Sequence, residues 1–320
     1  LSIVIQQKNI LVAPLDWGLG HATRCVPLIR RLLDEGHHVQ LASNGRSARW
    51  LKDYFPQLTV HTDVPDYAIT YPERGSMEWH FLKESPRLLR VIRAEHAWLE
   101  RFAEAHAIDE VYSDNRYGLY HERVKCTLIT HQLFIRAPWY ARAAVHRLTD
   151  YFIAKFNACW VPDDAGESNL SGALSHAARL PRNVQFIGPQ SRFTDVRIDP
   201  SAPAYHNVAL ISGPEPARSH FQAELLLRFQ TEGKSALMVC GTPEQFFDRM
   251  EGCVRMMSHL PDAQLAGVLK SAGHIVCRSG YSTIMDLHAL GCRAEFIATP
   301  GQTEQEYLCG ITDYGLQMTD

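Results

Sequence analysis

Nowhere in its 320 residues does the sequence hold an apolar run of the length a membrane-spanning helix needs. The opening LSIVIQQKNILVAP has too short an apolar stretch, and no basic start, to read as a signal peptide. Paired thiols are missing as well. The eight cysteines, Cys25, Cys126, Cys159, Cys240, Cys253, Cys277, Cys292 and Cys309, are scattered, never form C-x-x-C, and sit mostly in apolar strand-like runs. That excludes a disulfide framework and a paired-thiol metal motif, and implies reduced core thiols in a cytoplasm. There is no excess of basic charge either. With 32 Lys and Arg against 35 Asp and Glu the net charge is -3, so no nucleic-acid partner is expected. Short-period repeats and low-complexity tracts are absent.

What is present is the composition of a folded globular chain, 46% hydrophobic and 21% charged. Short β-rich apolar runs alternate with longer helical patterns, which predicts α/β architecture with parallel sheets covered by helices. In the first half strands are expected at 9–14, 38–43, 109–114, 126–131, 158–163 and 184–189, with helices near 21–35, 85–106 and 138–156. A polar, Pro- and Ser-rich stretch follows, and then the alternation restarts. Strands are expected at 208–213, 236–241, 254–261, 274–278 and 294–300, with helices near 217–231, 262–272 and 280–290. The domains are therefore placed at 1–190 and 207–320, joined by a linker at 191–206. Two such domains imply a central cleft faced by the carboxyl ends of both sheets, where ligands of open α/β sheets bind.

Three strand-to-helix turns stand out. In APLDWGLGHATRCVPLIRRLL, Gly18 and Gly20 let the backbone approach a ligand, free N–H groups at a helix start favour an anion, and His21 follows at the cleft. The turn lacks the third glycine of a dinucleotide fingerprint and the Lys-Ser/Thr of a P-loop, so it fits a tight connection with a capping histidine equally well. In VALISGPEPARSHFQAELL, Gly213 precedes a helix whose first turn holds Arg218 and Ser219, an arrangement suited to a diphosphate or to a proline-stiffened loop with a solvated arginine. In VCRSGYSTIMDLHALG, Arg278, Ser279 and Gly280 form the turn, and Ser279, Ser282, Thr283 and Asp286 follow i, i+3, i+4, i+7 spacing on one face. A carboxylate accepting from vicinal hydroxyls suits ribose. Simple helix capping with a surface Asp suits the pattern too.

Taken together these stretches carry a resemblance. VCRSGYSTIMDLHALGCRAEFIATPGQTEQEY resembles the donor domain of family 28 glycosyltransferases of GT-B fold, and within that family the lipid II UDP-N-acetylglucosamine transferase. GLGHATR resembles its glycine-rich acceptor-domain turn, and LISGPEPAR its first donor-domain phosphate loop. The resemblance implies two Rossmann-like domains and a nucleotide-sugar donor, UDP-linked as in UDP-GlcNAc, with no cofactor besides. It implies that Asp286 binds the donor ribose and that Ser279, Gly280 and the 213–219 loop cradle the diphosphate. Leu260 in SHLP takes the place of the uracil contact, and Gln302, Glu304 and Gln305 fall where donor sugar and ribose are held. His21 falls near the reacting centre. GLGH has fewer glycines than the family's GGTGGH, which leaves the acceptor open, and the loop from Pro300 to Tyr307 is shorter, which leaves the assignment among Gln302, Glu304 and Gln305 open. The sequence ends with YGLQMTD, so the terminal helices usual in GT-B enzymes are expected to be missing.

Inverting transfer needs a base for the acceptor hydroxyl and positive or N–H groups for the leaving diphosphate. Helix dipoles with Arg218 or Arg278 serve the second need without a metal. No isolated D-x-D follows a strand; PDD at 162–164 reads as a loop, so no metal is expected. His21 is favoured as the base, with Asp114 and His131 as alternatives at the ends of strands. Asn115, Arg116 and Gln132 are acceptor-site candidates on the same grounds. FLKESPRLLRVIRAEHAWLERF (81–102), with Arg87, Arg90 and Arg93, reads as a core helix with a solvated face or as a peripheral contact with an anionic inner membrane carrying a lipid-linked acceptor. Two other functions fit the same architecture. One is a UDP-sugar 2-epimerase, which needs more cleft carboxylates than the first half offers; the other is a nucleotide-sugar binding protein without turnover.

Overall fold

The computed structural model describes residues 6–68, 77–137, 139–177 and 179–316. They form two compact units, Leu1–Gln190 and Ser191–Asp320. In the first unit the order is β1 (Asn9–Pro14), α1 (Leu19–Arg24), α2 (Val26–Asp34), β2 (His38–Ala42), α3 (Gly45–Tyr54), β3 (Val60–His61), α4 (Met77–Ala105), β4 (Glu110–Asp114), β5 (Lys125–Ile129), α5 (Arg142–Ile153), β6 (Ala158–Val161) and β7 (Val184–Phe186). In the second it is β8 (Asn207–Leu210), α6 (Ala217–Glu232), β9 (Ala236–Val239), β10 (Asp248–Glu251), β11 (Val254–Met257), α7 (Asp262–Ser271), β12 (His274–Cys277), α8 (Tyr281–Leu290), β13 (Glu295–Phe296) and α9 (Thr303–Leu316).

The first sheet runs β3-β2-β1-β4-β5-β6-β7, with every pair parallel. Its central strands are buried on both faces, as near-continuous apolar runs such as ILVA allow. Strand alternation sends Leu11 and Ala13 into a core with Trp98, Leu99 and Phe102 of α4, and Ile10 and Val12 into a second core with Ile29 and Leu51. The order reverses between β1 and β4, so the crevice at their carboxyl ends is the natural ligand position in this unit. The single helix expected at 21–35 is two helices broken at Cys25, because Pro27 has no N–H to give and its ring crowds the carbonyl four residues back.

The 81–102 stretch lies within α4, and its apolar side faces inward: Ile92, Trp98, Leu99 and Phe102 are buried. Arg90 and Arg93 remain exposed, whereas Arg87 pairs with Glu84 at 3.0 Å and donates to the carbonyls of Tyr67 and Ala68. Phe81, Leu82 and Lys83 at its start lie outside the described side chains. Among the described residues no helix is long and apolar enough to cross a membrane.

The second sheet runs β10-β11-β9-β8-β12-β13 and is parallel apart from the β10–β11 pair. Its order reverses between β8 and β12, which puts the loop after β8 and the 278–280 turn on either side of the switch point. Residues 191–206, expected as a linker, instead form a strap on this unit. Ser191 and Phe193 are buried, Asp199 N–H donates to Ala263 O at 3.1 Å, and Gly273 N–H donates to Tyr205 O at 3.1 Å. Polar composition misleads here because backbone and side-chain hydrogen bonds, rather than an apolar stripe, hold the strap. The strands β3 and β10 and the helix α3 also escape the sequence pattern; two are short, and α3 has a weakly apolar stripe among charged residues.

Candidate active site

In the first unit the turn after β1 brings His21 to the end of β4. Gly18 takes φ +83°, a conformation that favours glycine, and its carbonyl accepts from Ser47 Oγ at 3.3 Å. The Gly20 carbonyl accepts from Thr23 Oγ1 at 3.1 Å. So fixed, α1 places Nδ1 of His21 2.6 Å from Oδ1 of Asp114, the last residue of β4 and wholly buried. Arg24, one turn after His21, forks onto the same carboxylate. Its Nε donates to Oδ2 at 2.5 Å and its Nη2 donates to Oδ1. Burial alone would raise the Asp114 pKa; the Arg24 charge, then His21 and the hydrogen bonds, hold it well below the usual carboxylate range.

An ionised Asp114 can only accept, so the 2.6 Å contact requires the proton of His21 on Nδ1. Nη2 of Arg24 also lies 2.9 Å from that nitrogen, yet with a proton there it can donate only to the carboxylate. The lone pair of His21 is therefore on Nε2, which has no hydrogen-bond partner among the described residues; the side chain keeps 12% exposure. Burial lowers the His21 pKa, the Arg24 charge lowers it further, and Asp114 opposes both, leaving it below the ordinary histidine value. An imidazole held this way by a carboxylate can take up a proton and share the resulting charge with its partner.

His131, two residues beyond β5, is buried at 3% exposure, and its Nδ1 lies 3.2 Å from Nη1 of Arg24. Of the three base candidates, only His21 has an open nitrogen backed by a carboxylate. Asp114 is the orienting partner, enclosed by two cationic or donor groups. Asn115, next in the chain, sits at φ +55° with its Oδ1 buried and without a partner. Gln132 is half-buried beside His131.

Arg116 corrects an acceptor-site expectation. It is fully buried, pairs with Glu95 at 2.9 Å, and donates to the carbonyls of Pro14 and Pro65 and to Asn44 Oδ1. Glu95 also accepts from Tyr67 Oη at 2.7 Å and Gly118 N–H at 3.0 Å. Every polar group of this knot is directed inward, so Arg116, just after β4, ties α4 to the end of β1 and to the segments after β2 and β3.

The second unit also redirects several residues. Gly213 takes φ +110° in the turn after β8. Beyond it Glu215 receives the Arg218 guanidinium, and its other oxygen accepts from Ser219 N–H at 3.2 Å. The anion position at the start of α6 thus holds the chain's own carboxylate. Arg218 also donates to Cys240 O at 3.2 Å. Arg278, expected on phosphate, is buried at 5% exposure, stands 3.8 Å over the Phe221 ring, and donates to Ile297 O and Ala298 O. Ser279 is likewise buried, its Oγ donating to Gln305 O at 2.7 Å. These two side chains brace the turn from within, and Nε of Arg278 is buried without a hydrogen-bond partner.

Gly280 leads directly into the first turn of α8, where Ser282 and Thr283 are half-buried. Asp286, one turn on, accepts from Ser191 Oγ at 2.6 Å and faces Arg192 Nε at 3.6 Å. Burial pushes its carboxyl up to about 6 against the opposing pull of Arg192. Leu260 forms part of the wall of a cavity of about 210 Å³ with Tyr205, Leu237, Met257 and Val268. The Gln305 side chain accepts from Thr299 N–H at 2.9 Å and so supports the turn into α9. Gln302 and Glu304 are half-buried at that turn.

Four further residues of these sites stand outside the sequence expectations: Arg24, Glu215, Thr242 and Thr299. Arg24 was findable, since it lies i+3 from His21 on one helical face. Glu215 stands three before Arg218. Thr242 and Thr299, which follow β9 and β13, have buried hydroxyls without partners, and no periodicity marks them. Among the described residues no group of three or more His, Cys, Asp or Glu side chains is placed to hold a metal ion.

By sequence, no family model and no curated protein matches the chain. By structure it is similar to solved glycosyltransferases. The glycotransferase of kitacinnamycin matches at TM-score 0.62 and 15% identity, covering 98% of this chain and 86% of that one. The spinosyn rhamnosyltransferase SpnG complexed with thymidine diphosphate matches at 0.60 and 16%, covering 97% and 85%. Arabidopsis thaliana UGT89C1 complexed with UDP-L-rhamnose matches at 0.53 and 10%, covering 98% and 91%. At these identities the likeness establishes the fold, GT-B with two Rossmann-like domains.

Proposed function

We propose that the chain is an inverting glycosyltransferase that moves a sugar from a nucleoside-diphosphate sugar, UDP-linked, onto a hydroxyl acceptor, with His21 as general base. The observation that carries this reading is the buried Asp114 holding His21 at Nδ1 while Nε2 stays open. Nε2 takes the acceptor proton as the acceptor oxygen attacks the anomeric carbon, and the bond from that carbon to the diphosphate breaks. Asp114 then balances the imidazolium. Asn115, with its unpartnered Oδ1, and Gln132 are the residues assigned to the acceptor.

The leaving diphosphate needs donors rather than a metal in this reading. The backbone at Gly280 and the first turn of α8 supply N–H groups, and Arg218 supplies charge once Glu215 yields. Asp286 is assigned to the ribose; it already accepts one hydroxyl, that of Ser191. The buried hydroxyls of Thr242 and Thr299 are further candidates for the donor, as is the backbone near Leu260 for the base. Assignment to family 28 within this fold rests on the CRSG turn and the acid on α8 alone.

The test is nucleotide release from UDP-, TDP- and GDP-sugars, with thermal shift in parallel, since a ligand that binds the folded state raises its stability. Transfer or hydrolysis supports the transferase. Release of an isomerised sugar nucleotide would assign an epimerase, and binding without turnover a nucleotide-sugar binding protein.

A further inference from the structure

The two histidines near Asp114 are not equivalent, and what distinguishes them is a residue outside the dyad. Arg24 is buried at 3% exposure and reaches three acceptor atoms at once: both oxygens of Asp114, and Nδ1 of His131 at 3.2 Å. A guanidinium can only donate, so Nδ1 of His131 must accept, and the proton of a neutral His131 is on Nε2. His21 is the mirror case, with its proton on Nδ1 facing Asp114. We infer that Arg24 is the positioning residue of this centre: by clamping Asp114 and donating to His131 it gives the two imidazoles opposite tautomers, leaving His21 an acceptor at Nε2 and His131 a donor at Nε2. The role in turnover rests on the transferase reading; the tautomer assignment does not.

Arg24 also offsets the carboxylate charge beside His21. Without it, Asp114 would hold His21 as an imidazolium over a wider pH range, and an imidazolium cannot accept the acceptor proton. The groups facing His21 are Asp114 from β4, Arg24 from its own helix, and His131 from the segment after β5. Cys25 Sγ lies 3.6 Å from Asp114 Oδ2, and burial with the Asp114 charge pushes that thiol up, so it stays neutral. Tyr117, beyond β4, is also raised by burial and adds no charge near neutrality. The only countercharge to Asp114 in this set, other than a protonated histidine, is therefore Arg24.

The experiment is nitrogen-15 NMR of the histidine side chains in the full chain, the 16 histidines being resolved by His21→Gln and His131→Gln. It is paired with the pH profile of kcat/KM. The wild-type chain is expected to show His21 protonated at Nδ1 and His131 at Nε2. In Arg24→Gln the His21 titration and the acid limb of kcat/KM should move up by about one pH unit, read as a loss of kcat/KM that approaches roughly tenfold well below the His21 titration and vanishes above it, with donor KM unchanged. Arg24→Lys keeps the charge and should restore the acid limb while His131 loses its tautomer preference.

Where Arg24→Gln alone does not fold, Arg24→Gln with Asp114→Asn removes the uncompensated charge, and its His131 is expected to populate both tautomers. A wild-type His21 protonated at Nε2 overturns the inference, as does a His21 titration unmoved in a folded Arg24→Gln chain. If no sugar nucleotide is turned over, the transferase reading fails, yet the NMR outcome still decides the role of Arg24.

Discussion

The hydroxyl of Ser191 lies 2.6 Å from a carboxylate oxygen of Asp286, 95 residues further along the chain. A segment that reads as a spacer therefore fastens to the acid assigned to ribose, and the same carboxylate serves stability and binding with opposite signs. Its folded pKa, about 6, lies above the unfolded value, so its contribution is fully present below pH ~4 and is lost as pH rises through about 6. Asp286→Asn should raise the melting temperature at pH 8, by an amount equivalent to roughly 1–3 kcal/mol, and give no gain at pH 4. Nucleotide binding by the same variant should weaken. Calorimetric melts at both pH values and a UDP titration check the two signs.

His21→Ala should lower kcat by roughly 10²–10⁴-fold while leaving nucleotide affinity within about twofold, because the lost group acts on the acceptor proton. Stopped-time transfer assays and titration with UDP measure the two separately. Full turnover in this variant would show that the base lies elsewhere.

Asp114→Asn should cost activity on a similar scale and stability as well. The folded pKa of Asp114 is depressed, so its stabilising contribution is present above the unfolded range near pH ~4 and is lost as pH falls below it. Leaving Arg24 buried without its anion costs about 3–5 kcal/mol at pH 7. Urea denaturation at pH 7 and pH 3 should show the gap between wild type and variant narrowing at the lower pH.

Arg116→Met should unfold or severely destabilise the first unit, by about 3–5 kcal/mol, because it strands Glu95 at 0% exposure. Pairing it with Glu95→Gln should recover much of that loss. An acceptor-binding arginine would behave differently, raising acceptor KM with the urea midpoint unmoved.

Gly267→Ala tests the strap. A Cβ there would stand 2.5 Å from Asp199 O and 2.6 Å from Ala202 Cβ, so the 199–202 segment must lift away from α7. A cost of about 1–3 kcal/mol is expected, together with faster proteolytic cleavage within residues 191–206. An unchanged cleavage rate would mean the strap is held mainly by Ser191 and Phe193.

The two sheets and their turns were legible because parallel strands are apolar on both faces and end in glycine or small polar residues; ILVA, VYS and HIVC all fall in strands. Which turn residues face outward was not legible. Arg278 and Ser279 carry the motif that resembles a donor site, yet their side chains close onto carbonyls 19–26 residues away, contacts that no local spacing encodes. Arg116 lies in the same position relative to β4 as a ligand residue would, and it is Glu95 from α4, with Asn44 and the carbonyls of Pro14 and Pro65, that turns it inward. The His21–Asp114 pair depends on β1 and β4 being neighbours, which follows from the strand order rather than from either sequence stretch.

The outermost strand of the second sheet, β10, is short, antiparallel and exposed, and carries DRME, with Arg255 bound to Asp248 at 2.6 Å and Arg249 to Glu251 at 2.8 Å. At the opposite margin β13 is two residues long. A strand from another molecule would have to strip paired charges at one side, or settle for almost no ladder at the other. This half of the protein is therefore poorly suited to seed edge-to-edge polymerisation, even at high concentration.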